Sequence, residues 1–500
     1  MKLKHLFFGG LLFISGQQLA QTQNSAYTAI GKGVATTFLT DYQSLGINNS
    51  ALGWGTGYEG KKFTIGTSEF AFGLSSPALD KERLKNAYNA IYNQATGKEN
   101  ENFDYAAQRE AAADYAEAGM SINVNYNWFG ASYQSEKFGG IAISVRENYS
   151  WYSQLNEQTT DLVFRGRTSN YFDSLQIAMN GDTTTIANSD GLSEDTLNAV
   201  FRGKASNPQR LSDITEGSRI KFVWNREYNF GYGRKLFGSD STFAFYAGVG
   251  GRYIQSMAMF DMESDENGLN VRSAISPFFD INYGQTLGTA PSPGNASSGF
   301  LPNAVGEGYG VDLSASVIMF GNLRLAASIN NIGNVTYNRE VYSVRDTLLS
   351  EMTLAGLDDA NTSEAMNQMT EDGGLLILEG EEEFVVTNPA NFRMGGSLQM
   401  FDNKLHVGFD VVAPFNKDHP GSLQNAIVSV GGDIRPVKWL QLSAGYFGGG
   451  VYKHNIPVGI NFILGDGTYE VGISSQDALS FFLDDANSIS TAFGFARFRF

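Results

Sequence analysis

Ile122, Val124, Tyr126 and Trp128 alternate along the chain with Ser121, Asn123, Asn125 and Asn127. A two-residue period puts one kind of side chain on each face of a β-strand. The pattern returns after a turn at Ser135 to Gly140, where Ile141, Ile143 and Val145 oppose Ala142, Ser144, Arg146 and Asn148. It returns again where Ile220, Phe222, Trp224, Tyr228, Phe230 and Tyr232 oppose Arg219, Lys221, Asn225, Glu227 and Asn229. A soluble sandwich or propeller also hides one face of each strand. Segments such as 218–236 and 242–261, however, run far beyond the roughly 5–6 residues usual in soluble proteins. Their polar faces also carry charge in mid-strand, which suits a water-facing lumen.

Fourteen such segments can be read: 61–75, 120–134, 139–152, 218–236, 242–261, 308–320, 322–335, 390–401, 403–414, 425–435, 438–448, 456–464, 468–475 and 489–500. Tight connections (Ser135–Phe138, Phe237–Ser241, Gly321, Asp402, Pro436–Val437, Gly465–Gly467) alternate with long ones at 76–119, 153–217, 262–307 and 336–389 and shorter links near 415–424, 449–455 and 476–488. Strict alternation of short and long connections marks outer-membrane barrels, with the short turns in the periplasm. An even count puts both chain ends on the short-turn side. A further strand-like stretch, 273–284, would swap the sides of every later turn, so it is assigned to a long outer loop. The expected fold is all-β: a transmembrane antiparallel barrel of about 14 strands with long outer loops, some of them helical.

The chain ends support this reading. Lys2 and Lys4 precede an apolar run from Leu6 to Ile14 and a polar stretch from Ser15 to Ala20, the layout of a signal peptide cleaved after Ala20. The apolar run is too short to span a bilayer, and no later stretch reaches that length. At the other end, Gly494, Ala496, Phe498 and Phe500 share one face. A terminal aromatic with apolar residues at alternate positions is what barrel-insertion machinery recognises in this class, so Phe498 and Phe500 are read as the closure signal. The expected location is the outer membrane of a diderm bacterium, with its lipid as surroundings. Mean hydropathy is only −0.21, as expected when every second residue faces lipid. The absence of cysteine excludes a thiolate metal site, a disulfide framework and a lipidated N-terminal Cys. A formal charge of −17 argues against a nucleic-acid partner.

The loops carry few chemical signals. Two helical stretches are expected in 76–119, one on Leu84, Ala87, Tyr88 and Ile91 and one near 104–118. Val163 to Asn170 (VFRGRTSN) is echoed by Val200 to Asn207 (VFRGKASN). The copies are expected to be structural, pairing as a hairpin, rather than to form a small basic spot. Glu379, Glu381, Glu382 and Glu383 fit no calcium-loop spacing and read as a solvated face. Gly248, Gly250 and Gly251 fall within a strand and are expected to ease packing or bending. Lys404, His406 and Asp410 share the polar face of one segment, with Ser397 on the segment before it. A Ser–His pair there would suit lipid hydrolysis, but polar residues lining a lumen explain the same pattern. Nucleophile-elbow and zinc-protease motifs are absent. No enzyme, metal or cofactor is expected.

Residues 29–36 (AIGKGVAT), leading to Asn49-Ser50-Ala51-Leu52-Gly53, resemble the N-terminal hatch of the FadL-like long-chain fatty acid transport barrels. Ser50 stands where those have Pro, and Leu52-Gly53 inverts their order. Gly308 to Leu313, the strand ending Asn330-Asn331-Ile332-Gly333, and Asn388 to Gly395 are also similar to strands of that superfamily. The resemblance implies a fourteen-stranded barrel whose plug is residues 21–58, preceded by the signal at 1–20 and followed by a barrel at 59–500. It implies hatch positions at Gly31, Gly33, Asn49, Ser50 and Ala51. In those barrels a ligand enters from outside, meets an apolar pocket and leaves past the hatch or through the wall. The superfamily also holds PorV-like barrels that serve protein secretion. Two functions follow as expectations: passive transport of a hydrophobic or amphipathic, lipid-like ligand, or a non-transporting barrel that binds a partner of a secretion or surface-attachment complex.

Overall fold

The computed structural model describes residues 26–78, 114, 116–179, 181–189, 191–279, 290–292, 302–354, 356, 376–417, 419, 421–423, 425–449, 452–478 and 488–500. Fourteen strands form one antiparallel ring: β1 (Phe63–Ser75), β2 (Met120–Ser135), β3 (Gly139–Gln154), β4 (Arg219–Ser239), β5 (Phe243–Asp265), β6 (Gly306–Met319), β7 (Leu323–Tyr337), β8 (Asn391–Met400), β9 (Leu405–Pro414), β10 (Ile427–Val437), β11 (Leu440–Gly449), β12 (Val458–Leu464), β13 (Tyr469–Ser475) and β14 (Ser488–Arg499). Each pairs with the next in sequence, and β1 pairs with β14 from Thr64↔Arg499 to Ser75↔Ser488. The ring is therefore closed and has no free edge within it. At the seam the amides of Lys62 and Phe63 donate to the Phe500 carbonyl at 2.7 and 3.0 Å, and the Phe500 amide donates to the Phe63 carbonyl at 2.9 Å. The terminal residue thus takes part in closure through its backbone.

The outer wall is apolar. Ile65, Ile143, Phe230, Val249, Leu313, Val430, Ile460 and Ile473 are exposed on it. An aromatic ring stands at most short turns, with Phe138, Phe237, Phe320, Phe401, Trp439 and Phe500 all outward. Phe320 and Phe401 are 74% and 72% exposed, which a water-facing surface would not favour in a row. A second aromatic row, Tyr228–Tyr253–Tyr309, crosses β4, β5 and β6 as direct cross-strand neighbours. From Phe243 to Tyr253 on β5 is ten residues, which at ordinary strand rise and tilt spans about 25 Å, the height of a barrel's lipid belt. The next outward rung is polar: Glu147, Arg226, Gln255 and Glu307. There Arg226 Nε donates to Glu147 Oε1 at 2.6 Å and Trp224 Nε1 donates to Glu147 Oε2. The belt ends between these two rungs. No helix of the described residues is long and apolar enough to cross a membrane; the crossing is made by strands.

Beyond the belt the long connections build further structure. Gly268–Ile275 hairpins back onto the end of β5 and pairs with Val341–Arg345, outside the ring of fourteen. The stretch that parity assigned to an outer loop is thus a strand that starts earlier than expected, at Gly268; positions 280–284 lie outside the described residues. A separate four-stranded sheet, ordered Leu348–Met352, Val200–Arg210, Ser174–Met179, Asp182–Ala187, covers a core of Leu162, Phe172, Leu175, Ile177, Val200, Leu211, Ile214, Leu349 and Met352. The helix Glu157–Arg165 leads into it, capped by Asn156, whose side chain accepts from the Thr159 amide at 2.6 Å.

The two repeat copies do not form a hairpin. The first finishes that helix and turns through Gly166–Thr168, while the second is a strand paired with Ser174–Met179 and Leu348–Met352. Local sequence is overridden by what flanks it: an N-cap upstream of one copy, two strand partners for the other. Of the helices expected in 76–119, the first lies outside the described residues, and of the second only 114 and 116–118 are described, helical as expected.

Leu313 stands midway along β6 between the aromatic rows. Leu313→Arg should lower stability by about 2–4 kcal/mol, whereas Gln255→Arg, beyond the belt, should change it by about 1 kcal/mol or less. Urea unfolding in lipid vesicles, followed by tryptophan fluorescence, compares the two; equal losses would place the belt wrongly.

Candidate functional site

Residues 26–54 lie inside the ring, most of them buried. The segment has little regular structure: the short helix Tyr27–Ile30 and the 3-10 turns Tyr42–Ser44 and Asn49–Trp54. Its small internal core is Ala26, Ala29, Ala35, Leu39 and Ile47. So short a core cannot hold a fold by itself, and the wall supplies the rest.

Every strand of the ring contributes. Tyr27 packs on Gly494 of β14, and its carbonyl accepts from Ser474 Oγ of β13 at 2.9 Å. Gly31 meets Gly459 of β12 so closely that a Cβ on Gly31 would stand 2.6 Å from the Gly459 Cα. Lys32 Nζ donates to Asp433 of β10 at 2.5 Å, and its carbonyl rests on Gly431 of β10 and Gly445 of β11. Asp410 of β9 accepts from the amides of Ala35 and Thr36 and from the Thr36 hydroxyl at 2.7, 2.9 and 3.0 Å. Thr36 also packs on Gly395 of β8. Asp41 pairs with Arg497 of β14, which with Arg499 holds Glu470 of β13. Tyr42 Oη and Gln43 Nε2 donate to Glu69 of β1 at 2.5 and 2.8 Å.

Gln134 of β2 donates to the carbonyls of Thr40 and Leu52, and Arg146 of β3 to those of Tyr42 and Leu45. Leu45 packs on Gly231 of β4. The Ile47 carbonyl accepts from Ser328 and Asn330 of β7. Asn49 and Ser50 sit over Gly248 and Gly250 of β5, and the Ser50 amide donates to Ser314 Oγ of β6 at 2.8 Å. The wall is thus carved with glycine where the segment's backbone comes close, and charged where its polar groups need partners.

Of the residues singled out from the sequence, Gly31 and Gly33 line the first turn of the plug. Gly33 has a φ of +71°, with Pro457 Cγ 3.1 Å from where a Cβ would stand. Asn49, Ser50 and Ala51 are buried at its far end. Phe498 and Phe500 face outward at the seam, stacked at 6.5 Å. Ser397, His406 and Asp410 do not form a catalytic set. Ser397 is opposite Gly408, His406 stacks on Phe38 at 3.9 Å, Asp410 is occupied by the plug, and Lys404 is exposed in a short turn. Glu379 pairs with Arg345. Among the described residues no group of His, Asp or Glu is arranged to hold a metal. The sequence reading did not single out Glu69, Gln134, Asp433 or Arg497. Their signal was present as polar residues at inward parity, but the partner of each is hundreds of residues away or in irregular chain.

On the long-loop side of the plug the bore has two kinds of wall. Asn125, Asn148 and Asn225 form one inward rung across β2, β3 and β4, continued by Ser256 of β5. Beside them Ile254, Met259, Val335, Tyr337 and Phe384 form an apolar cluster, with Tyr337 and Phe384 stacked at 4.8 Å. The β9–β10 connection reaches across from the opposite side. Its Leu423 packs with the inward Val412, Ile427 and Phe447, and Gly421 approaches Ser150 Oγ of β3.

The profile of a protein family, described as a family of unknown function (DUF5723), matches residues 182–466, more than half of the chain. The chain belongs to that family. The FadL-like architecture expected from the sequence, a fourteen-strand ring, is the one present. Solved structures similar in arrangement include the toluene transporter TodX of Pseudomonas putida, at 10% identity and a TM-score of 0.41, covering 97% of this chain and 99% of that one. The monoaromatic hydrocarbon channel CymD is similar at 10% identity and a TM-score of 0.41, covering 98% and 97%. A triple mutant of the Rhodopseudomonas blastica porin reaches 12% identity and a TM-score of 0.20 over 56% of this chain and 92% of that one. Overlaps so loose carry nothing about cargo. No curated protein sequence matches.

Two outcomes test this site. Gly248 faces the plug backbone, whereas Gly251 on the same strand has open space outside. Gly248→Ala should cost about 1–3 kcal/mol through overpacking and expose Lys32 to trypsin, while Gly251→Ala should leave cleavage unchanged. His419, in the crossing connection, accepts from the Gly421 amide at 2.8 Å and is buried. Burial, and then Lys221, push its pKa down to about 3. A depressed histidine is neutral when seated, so seating is strongest above the free value of about 6.5 and weakens as pH falls from there toward 3. Hydrogen exchange across that range should show the connection loosening, and His419→Gln should flatten the dependence.

Proposed function

We propose that the protein passes hydrophobic or amphipathic small molecules through the outer membrane of a diderm bacterium, its short turns in the periplasm and its long connections outside. The observation that carries this is the apolar cluster inside the bore. The inner face of a transmembrane barrel is ordinarily polar, yet Ile254, Met259, Val335, Tyr337 and Phe384 turn inward. They lie on the outer side of the plug, out of reach of lipid. They are at most 8% exposed, so a molecule with apolar surface would reach this cluster by taking the place of chain that now covers it.

The folded outer sheet favours a second reading. Two connections that share a nine-residue core are more than solvated loops need, and suit a platform for a partner protein. The readings separate by experiment, because passage depends on the bore and docking on the sheet.

The chain has no cysteine, so a disulfide can be placed without background. The hydroxyls of Ser50 and Ser316 lie 2.7 Å apart between plug and wall. Cells expressing the protein should take up a labelled medium-chain monoacylglycerol several-fold faster than cells without it. The pair Ser50→Cys, Ser316→Cys should bring uptake to background when oxidised and restore it on reduction. Uptake no faster than in control cells would end the passage reading and leave the platform.

A further inference from the structure

We infer that the bore on the long-loop side of the plug selects amphiphiles with a neutral, hydrogen-bonding head over those with a carboxylate. This rests on the passage reading and names its ligand class. The rung Asn125–Asn148–Asn225–Ser256 crosses four adjacent strands at one level. Gly306 and then Tyr337 extend the same rung, and Ser256 Oγ lies 3.0 Å from Tyr337 Oη. It stands directly above the plug: Arg146, two residues below Asn148, holds the plug carbonyls of Tyr42 and Leu45. Asn225 is only 7% exposed, and its Oδ1 has no hydrogen-bond partner among the described residues. A buried amide oxygen left unmatched is costly, so this one can accept from a donor that the described residues do not supply.

The chemistry of the rung sets the class of head. Amides and hydroxyls donate and accept without charge. They match a hydroxyl or amide head well, but they cannot repay the hydration an ionised carboxylate gives up. That needs a cation, and the described cations next to the rung on β3, β4 and β5 are engaged. Arg146 is held by the plug, and Arg252 pairs with Glu227 at 3.3 Å and Asp312 at 2.8 Å. Farther out Lys221 pairs with Asp261 and Glu263. Arg272, level with Lys221 and about 13 Å from the rung at ordinary strand rise, lies over the Phe384 ring. A carboxylate at the rung would instead meet Glu227, one inward step away. The apolar cluster begins where the rung ends, at Tyr337. A head on the asparagines therefore directs its tail toward Ile254, Met259 and Phe384, which are 1%, 1% and 8% exposed and meet the tail as the chain over them gives way.

Calorimetric titration of the full-length protein in lipid nanodiscs, with monolauroylglycerol and with laurate at alkaline pH, tests this. The two share a chain and differ in head. Monolauroylglycerol should bind about tenfold tighter, the equivalent of one or two matched hydrogen bonds. Asn225→Leu should remove that preference and leave laurate unchanged. Asn148→Ala, at a half-buried position, repeats the test should the leucine variant fail to assemble, with heat-modifiable gel migration as the check on folding. Laurate binding as tightly as monolauroylglycerol overturns the inference and leaves the passage reading standing. Wild-type monolauroylglycerol affinity in both variants also overturns it. Binding of neither amphiphile overturns both.

Discussion

Hydrocarbon offers a peptide group no hydrogen bond. A chain that crosses a bilayer as strands must therefore pair every strand on both sides, and only a closed ring does so. The rest of this molecule follows from that requirement. The β1–β14 seam exists because the first and last strands would otherwise expose a ladder of amides to lipid. Once the ring is shut, the pleat sends alternate side chains to opposite solvents, apolar outward and polar inward. Fourteen strands also enclose more space than side chains fill; about eight is the number at which they just do. The bore must then hold water or a piece of chain, and this protein uses residues 26–54.

Filling a polar bore with irregular chain raises an electrostatic problem, because carbonyls and amides of the plug leave water without the partners regular structure would give. The wall answers with long side chains of both signs. Arg146 and Gln134 reach carbonyls, Asp410 gathers two amides and a hydroxyl, and Asp41, Arg497, Glu470 and Arg499 form one buried chain of alternating charge. Buried ion pairs add little net stability over apolar contacts, but breaking one leaves an uncompensated charge. Their effect here is to fix a single seating for a segment that has almost no core of its own.

The ring was legible in the sequence because period-two alternation is a local property, and the short and long connections gave its sidedness. Strand ends shifted by only a few residues. Local irregularities were not legible: Ser68 adopts a φ of +57° opposite Trp128, which is the extra residue where β2 slips against β3, and Met257 is extra where β5 bulges against β4. Each reverses which parity faces inward from that point on. Glycines in β5 could be read as packing residues, but not as seats for Asn49 and Ser50, some two hundred residues earlier. The two VFRG copies show the limit most plainly, since near-identical residues end a helix in one place and form a strand in the other. Alternation on the inner wall predicts polarity, so the apolar cluster at Met259 and Tyr337 departs from the very rule that revealed the barrel.

The segment that leads the plug into β1 shares its anchor with the seam. Arg499 lies over the Tyr58 ring at 4.5 Å, Lys61 Nζ donates to Thr468 at 2.7 Å, and the Lys62 amide donates to the carbonyl of Phe500. The seam and the last stretch of the plug before β1 therefore rest on one shared set of contacts. A change at Arg499 or Thr468 loosens the closing strand and the approach to the plug together, while Lys32, Thr36 and Ser50 stay held by strands on other parts of the ring.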